Sequence, residues 1–144
     1  KSSAASDVYK RQAYRMAREI AAWKRKVSSV WDQIRVIDVQ RVKIDNKAIF
    51  VGEKYHFEVT VDIASLRPED IGVEMVVARQ IVGGQSVNVT RTIQLERTKA
   101  DGSRVTYSLD YTPDEAGTFD VALRIYPSNP LLPHRMDFAL VKWA

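Results

Sequence analysis

The sequence predicts a mainly β chain, in which one amphipathic helix leads into an antiparallel β-sandwich of about seven strands. Two observations carry this. The hydrophobic period is helical up to about residue 33 and becomes two from Ile34 onward. Turn chemistry then breaks the second part at short intervals, with no helical pattern between the breaks.

The helix is expected over residues 13–33. Met16, Ile20, Trp23, Val27, Val30 and Ile34 step by four and three residues, which sets them on one stripe. Ala17, Ala21 and Trp31 widen it. Neither Gly nor Pro interrupts these residues. A stripe with two tryptophans has to be buried, either on another domain or on the neighbouring sandwich. Ahead of it, residues 1–12 (KSSAASDVYKRQ) show no hydrophobic periodicity. They read as a translated adaptor junction, or else as a disordered tail. On the first reading the gene is cut upstream of residue 13, and the helix has lost a partner.

Residues 34–144 are expected to form the sandwich. Tyr55, Phe57, Val59, Val61 and Ile63 alternate with His56, Glu58, Thr60 and Asp62, which describes a strand with one wet face. Val87, Val89, Ile93 and Leu95 repeat the alternation, with Arg91 as an exception. So do Val105 to Tyr111 and Phe119 to Ile125, and Met136, Phe138 and Leu140 close the series. Ile34–Ile44 and Ile71–Ile81 are two further candidates. Asn46-Lys47, Arg67–Asp70, Gly83-Gly84, Asp101-Gly102, Pro113–Gly117 and Pro127–Pro133 punctuate the strands. One sheet this amphipathic would leave its apolar face wet, so two sheets are needed. The pattern is of the immunoglobulin or fibronectin type III kind, with Phe119 at the position of the corner tyrosine.

Composition excludes several functions. No cysteine is present, which removes disulfides, thiolate metal sites and cysteine nucleophiles together and fits a cytoplasmic location. No apolar run reaches the roughly 20 residues that span a bilayer, and no membrane partner is expected. The net charge of +4 divides into +2 over residues 1–12, +3 over 13–33 and −1 over 34–144. The basic excess belongs to the helix and the tail, so the sandwich is not expected to bind nucleic acid.

No catalytic, cofactor-binding or metal-ligating residue is assigned. His56 and His134 are the two histidines, with no acid at ligand spacing around either. Gly83-Gly84 reads as a hairpin turn rather than a phosphate loop. Glu69/Asp70 and Asp114/Glu115 are turn acids, which solubilise or cap far more often than they catalyse. Asn88-Val89-Thr90 fits a glycosylation sequon that a cytoplasmic chain would not use. Tyr55, Tyr107, Tyr111, Phe119 and Phe138 follow the core alternation and are expected to be buried. Phe50 and Tyr126 are less determined, and Tyr126 is the aromatic residue singled out for contact with sugar.

Several stretches together resemble a known family. They are Ala22-Trp23-Lys24-Arg25-Lys26-Val27 with Val30-Trp31 and Ile34-Arg35-Val36; Leu66-Arg67-Pro68-Glu69-Asp70-Ile71-Gly72-Val73-Glu74; Gly117-Thr118-Phe119; Arg124-Ile125-Tyr126-Pro127; Asn129-Pro130-Leu131-Leu132-Pro133-His134; and Leu140-Val141-Lys142-Trp143-Ala144. In order and spacing, over about residues 15–144, this is similar to the C-terminal region of bacterial α-glucan (glycogen/starch) phosphorylases. The family often has histidines where Ser128 and Asn129 stand. The resemblance implies a parent that uses phosphate to release glucose 1-phosphate from α-1,4-glucan. It also implies pyridoxal phosphate on a lysine of an upstream catalytic domain. The helix would then end that domain and be this chain's link to it. The sandwich would be a non-catalytic accessory domain in possible contact with α-glucan. The alternative is an immunoglobulin-like binding module of another multidomain protein.

Overall fold

The structure is a computed structural model that describes residues 4–42, 51–80, 87–115, 119–132, 134 and 137–144. The expected turns at Asn46-Lys47 and Gly83-Gly84, together with Phe50, Gly117, Thr118, Pro133 and Met136, lie outside the described residues. So do the side chains of Asn88 and Thr90.

Helix α1 runs over Ala4–Val30, beginning nine residues ahead of the expected Ala13. Ala4, Ala5 and the absence of Gly or Pro let the helix extend backwards through residues that have no apolar stripe of their own. Only its second half is anchored. Trp23 and Val27 are buried and Ile20 and Val30 partly so, whereas Met16 is 49 % exposed. Met16 therefore stays on the stripe without being buried, because none of the described residues packs the first half of α1 into the core.

A single 3-10 turn, Trp31–Gln33, ends the helix, and Ile34 returns the backbone to extended geometry at φ −70° and ψ 129°. The carbonyls left over at this end accept hydrogen bonds from Lys142, whose Nζ is 3.1 Å from the Trp31 oxygen and also bonds the Ile34 oxygen. A cation placed there also suits the negative end of the helix dipole.

Eight strands follow: β1 (Arg35–Val42), β2 (Tyr55–Asp62), β3 (Ile71–Gln80), β4 (Val87–Gln94), β5 (Glu96–Asp101), β6 (Arg104–Tyr111), β7 (Phe119–Pro127) and β8 (Lys142–Trp143). They form two four-stranded antiparallel sheets, ordered β1-β2-β6-β5 and β4-β3-β7-β8. This is the expected sandwich, with one more strand than the pattern counted. The extra strand is β5, whose residues are all exposed and carry no alternation. Only Leu95 separates it from β4. Leu95 is buried and donates its N–H to the Val73 oxygen (2.8 Å), while the chain crosses from one sheet to the other. The closing strand is also shifted. Phe138 and Leu140 lie in a loop, and pairing is confined to Lys142–Trp143.

Two bulges account for breaks in the alternation. One at Ile37 turns that side chain to solvent and lets both Val36 and Val39 pack on the core. The other, at Thr90, has the same effect on Val89, which is 55 % exposed. Arg91 is the residue that interrupted the pattern. Its guanidinium sits 6.0 Å from the centroid of the Tyr111 ring, at the open end of the core.

The core is continuous. Inward residues of β2, β3, β6 and β7 form one buried cluster that also takes in Trp23, Val27, Trp31 and Ile34. Each large side chain so buried contributes roughly 1.5–3 kcal/mol. Of the two burial sites open to the tryptophan stripe, the structure uses the sandwich. The second half of α1 closes the end formed by the β2–β3 and β7–β8 connections.

Candidate functional site

Three places gather polar or aromatic side chains. The first is the joint between helix and sandwich. Trp23 donates its indole N–H to Asp70 Oδ1 (2.9 Å, buried), and its ring meets Phe138 edge-on at 5.5 Å. Asp70 Oδ2 accepts the Arg67 backbone N–H (2.9 Å), and the Asp70 carbonyl accepts the Ser128 N–H (2.8 Å). Of the turn acids Glu69/Asp70, Asp70 is thus a buried cap. Glu69 is exposed and lies 3.7 Å from Arg97.

Burial pushes the Asp70 carboxyl up. The Arg67 backbone N–H, the Trp23 indole and the Arg67 guanidinium outweigh this and hold it below the usual carboxylate range. A depressed folded value gives stability that is full above the unfolded pKa of about 3.9 and is lost as the pH falls through the folded value. Urea midpoints of the wild type and of Asp70→Asn are therefore expected to converge on acidification from pH 5 to below 3. A gap between them that does not change with pH would refute this.

The second place is the outer face of the β4-β3-β7-β8 sheet. Register places Gln94, Glu74, Arg124 and Trp143 in one row across the four strands. Arg124 donates to Glu74 through Nε (2.7 Å) and through Nη2, and its guanidinium lies 5.7 Å from the Trp143 ring centroid. The Glu74 side chain is 4 % exposed, although it sits on the outer face of its sheet. In the next row Tyr126 faces Gly72. A Cβ on Gly72 would fall 2.5 Å from the tyrosine ring, so the glycine is what allows that ring to lie against the sheet. Loop residues Phe138–Val141 wall a groove of about 190 Å³ over Glu74, Arg124 and Tyr126. Tyr126 is thus half-buried as one side of a groove.

The third place is the outer face of the other sheet. His56 Nδ1 is 2.8 Å from Asp110, and its Nε2 is 3.3 Å from Glu58. These bonds to Asp110 and Glu58 raise the imidazole pKa. His134 is far from it, in the β7–β8 connection at the helix end, where its backbone N–H bonds Asp137. The structure does not bring the two histidines together. Among the described residues, no group of three or more His, Asp or Glu side chains could hold a metal ion.

Of the core aromatics, Tyr55, Tyr107 and Phe119 are buried, while Tyr111 and Phe138 are partly so. Tyr107 Oη is buried without a hydrogen-bond partner among the described residues, and burial pushes the phenol up to about 12. Asp114 is exposed, 3.6 Å from Arg91. Sequence patterns missed Trp143, Glu74 and Arg124. Trp143 lies beyond the last alternating residue, Leu140, where no pattern sets its face. Glu74 and Arg124 occupy polar positions whose pairing depends on strand register.

Helix α1 carries one more feature. At about 3.6 residues per turn, Arg11, Arg15, Arg18 and Arg25 lie on the face opposite the Ile20–Trp23–Val27 stripe. Arg18 packs on the Tyr14 ring at 5.7 Å. Among the described residues, Arg11, Arg15 and Arg25 have no acidic partner. No helix among the described residues is long and apolar enough to cross a membrane.

Comparison with known proteins gives this fold a family. The maltodextrin phosphorylase of Thermococcus litoralis is 27 % identical over 137 residues, covering 92 % of this chain and 15 % of that protein. The glycogen phosphorylases of Mycobacterium tuberculosis and Mycobacterium bovis are 27 % identical over 129 residues, covering 89 % of this chain and 15 % of theirs. The chain thus spans about one seventh of the length of these relatives. No solved structure matches it. The model of the glycogen phosphorylase C-terminal domain matches residues 31–144, from the 3-10 turn through the whole sandwich. The relatives match a larger share of this chain than that span, so the likeness reaches into α1. Trp31 at the helix end, the Arg67–Glu74 segment and the Arg124–Trp143 face all lie inside the matched stretch, and the chain belongs to the glycogen phosphorylase C-terminal domain family.

Proposed function

We propose that this chain serves as the non-catalytic accessory domain of an α-glucan phosphorylase. The family match over residues 31–144 carries the reading. The activity of the whole protein, phosphate-dependent release of glucose 1-phosphate from α-1,4-glucan, is placed upstream of this domain, in the cytoplasm.

The lysines support placing the chemistry elsewhere. Pyridoxal phosphate requires a lysine whose amine is free to bond the cofactor, inside a pocket that also holds a phosphate. Among the described residues only Lys24 and Lys142 are partly buried, and both turn their ammonium groups to backbone carbonyls, Lys24 to Asp137 and Lys142 to Trp31 and Ile34. Neither fits the cofactor.

The helix is the link to the catalytic domain in this reading, and its contact face differs from the one the sequence offered. The tryptophan stripe is taken up by the sandwich, which leaves the arginine face of α1 for the catalytic domain. An immunoglobulin-like module of another protein has only the fold in its favour, and the family match weighs against it.

Sequencing the gene upstream of this chain tests the proposal. The expected result is an in-frame pyridoxal-phosphate phosphorylase domain, with glucose 1-phosphate released by the joined protein and none by this chain alone. A frame without such a domain overturns it.

A further inference from the structure

We infer that the groove on the outer face of the β4-β3-β7-β8 sheet, together with Trp143 beside it, is an α-glucan contact site, in which Tyr126 offers a ring face from within the groove, Trp143 offers one from its edge next to Arg124, and Glu74 and Arg124 form the floor. The choice of an α-1,4-glucan rests on the function proposed above. The groove itself rests on geometry.

Trp143 is 56 % exposed, the most exposed tryptophan of the chain, and Arg124 stacks on one face of its ring. An exposed indole offers a large flat apolar face that the ring of a ligand can cover. Tyr126 lies one row away, flat against Gly72. Two aromatic surfaces thus flank the Glu74–Arg124 pair, with Phe138 and Leu140 as the facing wall.

Charge narrows the class of ligand. Glu74 and Arg124 neutralise each other through two hydrogen bonds, so the floor presents no net field to hold a phosphate or a metal ion. It does present a planar guanidinium and a carboxylate beside apolar walls. That combination suits a neutral ring with an apolar face and a rim of hydroxyls, which is a pyranose. Gln94, exposed at the far end of the same row, extends the polar track across the sheet.

Electrophoresis of the 144-residue chain through native gels containing glycogen tests this, together with titration of tryptophan emission by maltoheptaose and cellohexaose. Trp23 and Trp31 are buried, so a change in emission reports on Trp143. Glycogen is expected to retard the chain, and maltoheptaose to shift its emission where cellohexaose does not.

Trp143→Ala is expected to weaken retention at least about tenfold, which is about 1.4 kcal/mol. Gly72→Ala, whose new methyl displaces the Tyr126 ring, is expected to do the same. Tyr14→Ala, on the exposed half of α1, is expected to leave retention unchanged, and urea midpoints show that each variant is folded. Absence of retardation overturns the inference. So does retention undiminished in both groove variants, and equal binding of cellohexaose overturns the α-glucan assignment. None of these results bears on the upstream reading frame. Conversely, retention that depends on Trp143, found with a frame lacking a phosphorylase domain, would keep the groove and remove the proposed function.

Discussion

Replacing Trp23 with alanine is expected to lower stability by about 4 kcal/mol and to free the helix from the sandwich. The indole is buried between Val27 on its own helix and Phe138 on the facing loop, and it is one of the donors to Asp70. Alanine leaves a cavity at the closed end of the core. It also leaves a buried carboxylate one donor short. Trp23→Phe separates the two effects, since it keeps most of the ring packing and loses only the N–H, at about 1 kcal/mol. Urea denaturation gives both numbers, and far-UV circular dichroism shows whether α1 melts ahead of the sheets. Equal losses in the two variants would mean that the hydrogen bond, not the packing, holds the joint. A loss below about 1 kcal/mol in Trp23→Ala would mean that the helix is not part of the folding unit.

Removing Glu74 is expected to have the second-largest effect. Glu74→Ala leaves the Arg124 guanidinium on a largely covered surface without its carboxylate, and breaking such a pair costs about 3 kcal/mol. That figure sits at the low end because the Arg124 side chain retains 22 % exposure. Changing both residues to methionine is expected to recover most of the loss, because no charge is then left uncompensated. A double variant as unstable as Glu74→Ala would show that shape, not charge, decides the effect. The comparison also matters for the groove, since the pair is its floor. The double variant is expected to fold and yet lose retention by glycogen.

The outward row of the second sheet shows where sequence reading stopped. Glu74 and Arg124 are 50 residues apart, and in each strand they occupy positions that alternate with core residues. Polar residues in such places are usually solvated, and nothing local distinguishes these two. Their pairing follows from the register of β3 on β7, and the exposed Trp143 joins them only because β8 is two residues long and aligned with Arg124. Asp70 is a similar case. Its place in Arg-Pro-Glu-Asp puts it in a turn, where an acid solubilises or caps; that it caps while buried, with a bond to Trp23 spanning 47 residues, depends on the helix folding back.

The sequence by itself determined the class of fold, the inward face of β2, β6 and β7, and the family. These follow from short-range periodicity, turn chemistry and ordered motifs, each of which acts within a few residues. Only the tertiary structure decided where the tryptophan stripe is buried. The stripe is equally apolar toward either partner, and the choice rests on the shape of the sandwich end that Trp23, Val27 and Trp31 close. It also decided that the strand after Leu95 changes sheets, because β5 is wholly exposed and is held by backbone pairing with β6 and by surface polar contacts of Arg97 and Thr98, which no apolar alternation announces. Finally, it assembled the groove from residues of β3, β7 and the β7–β8 connection, since contacts between distant strands are fixed by register and loop geometry rather than by local pattern.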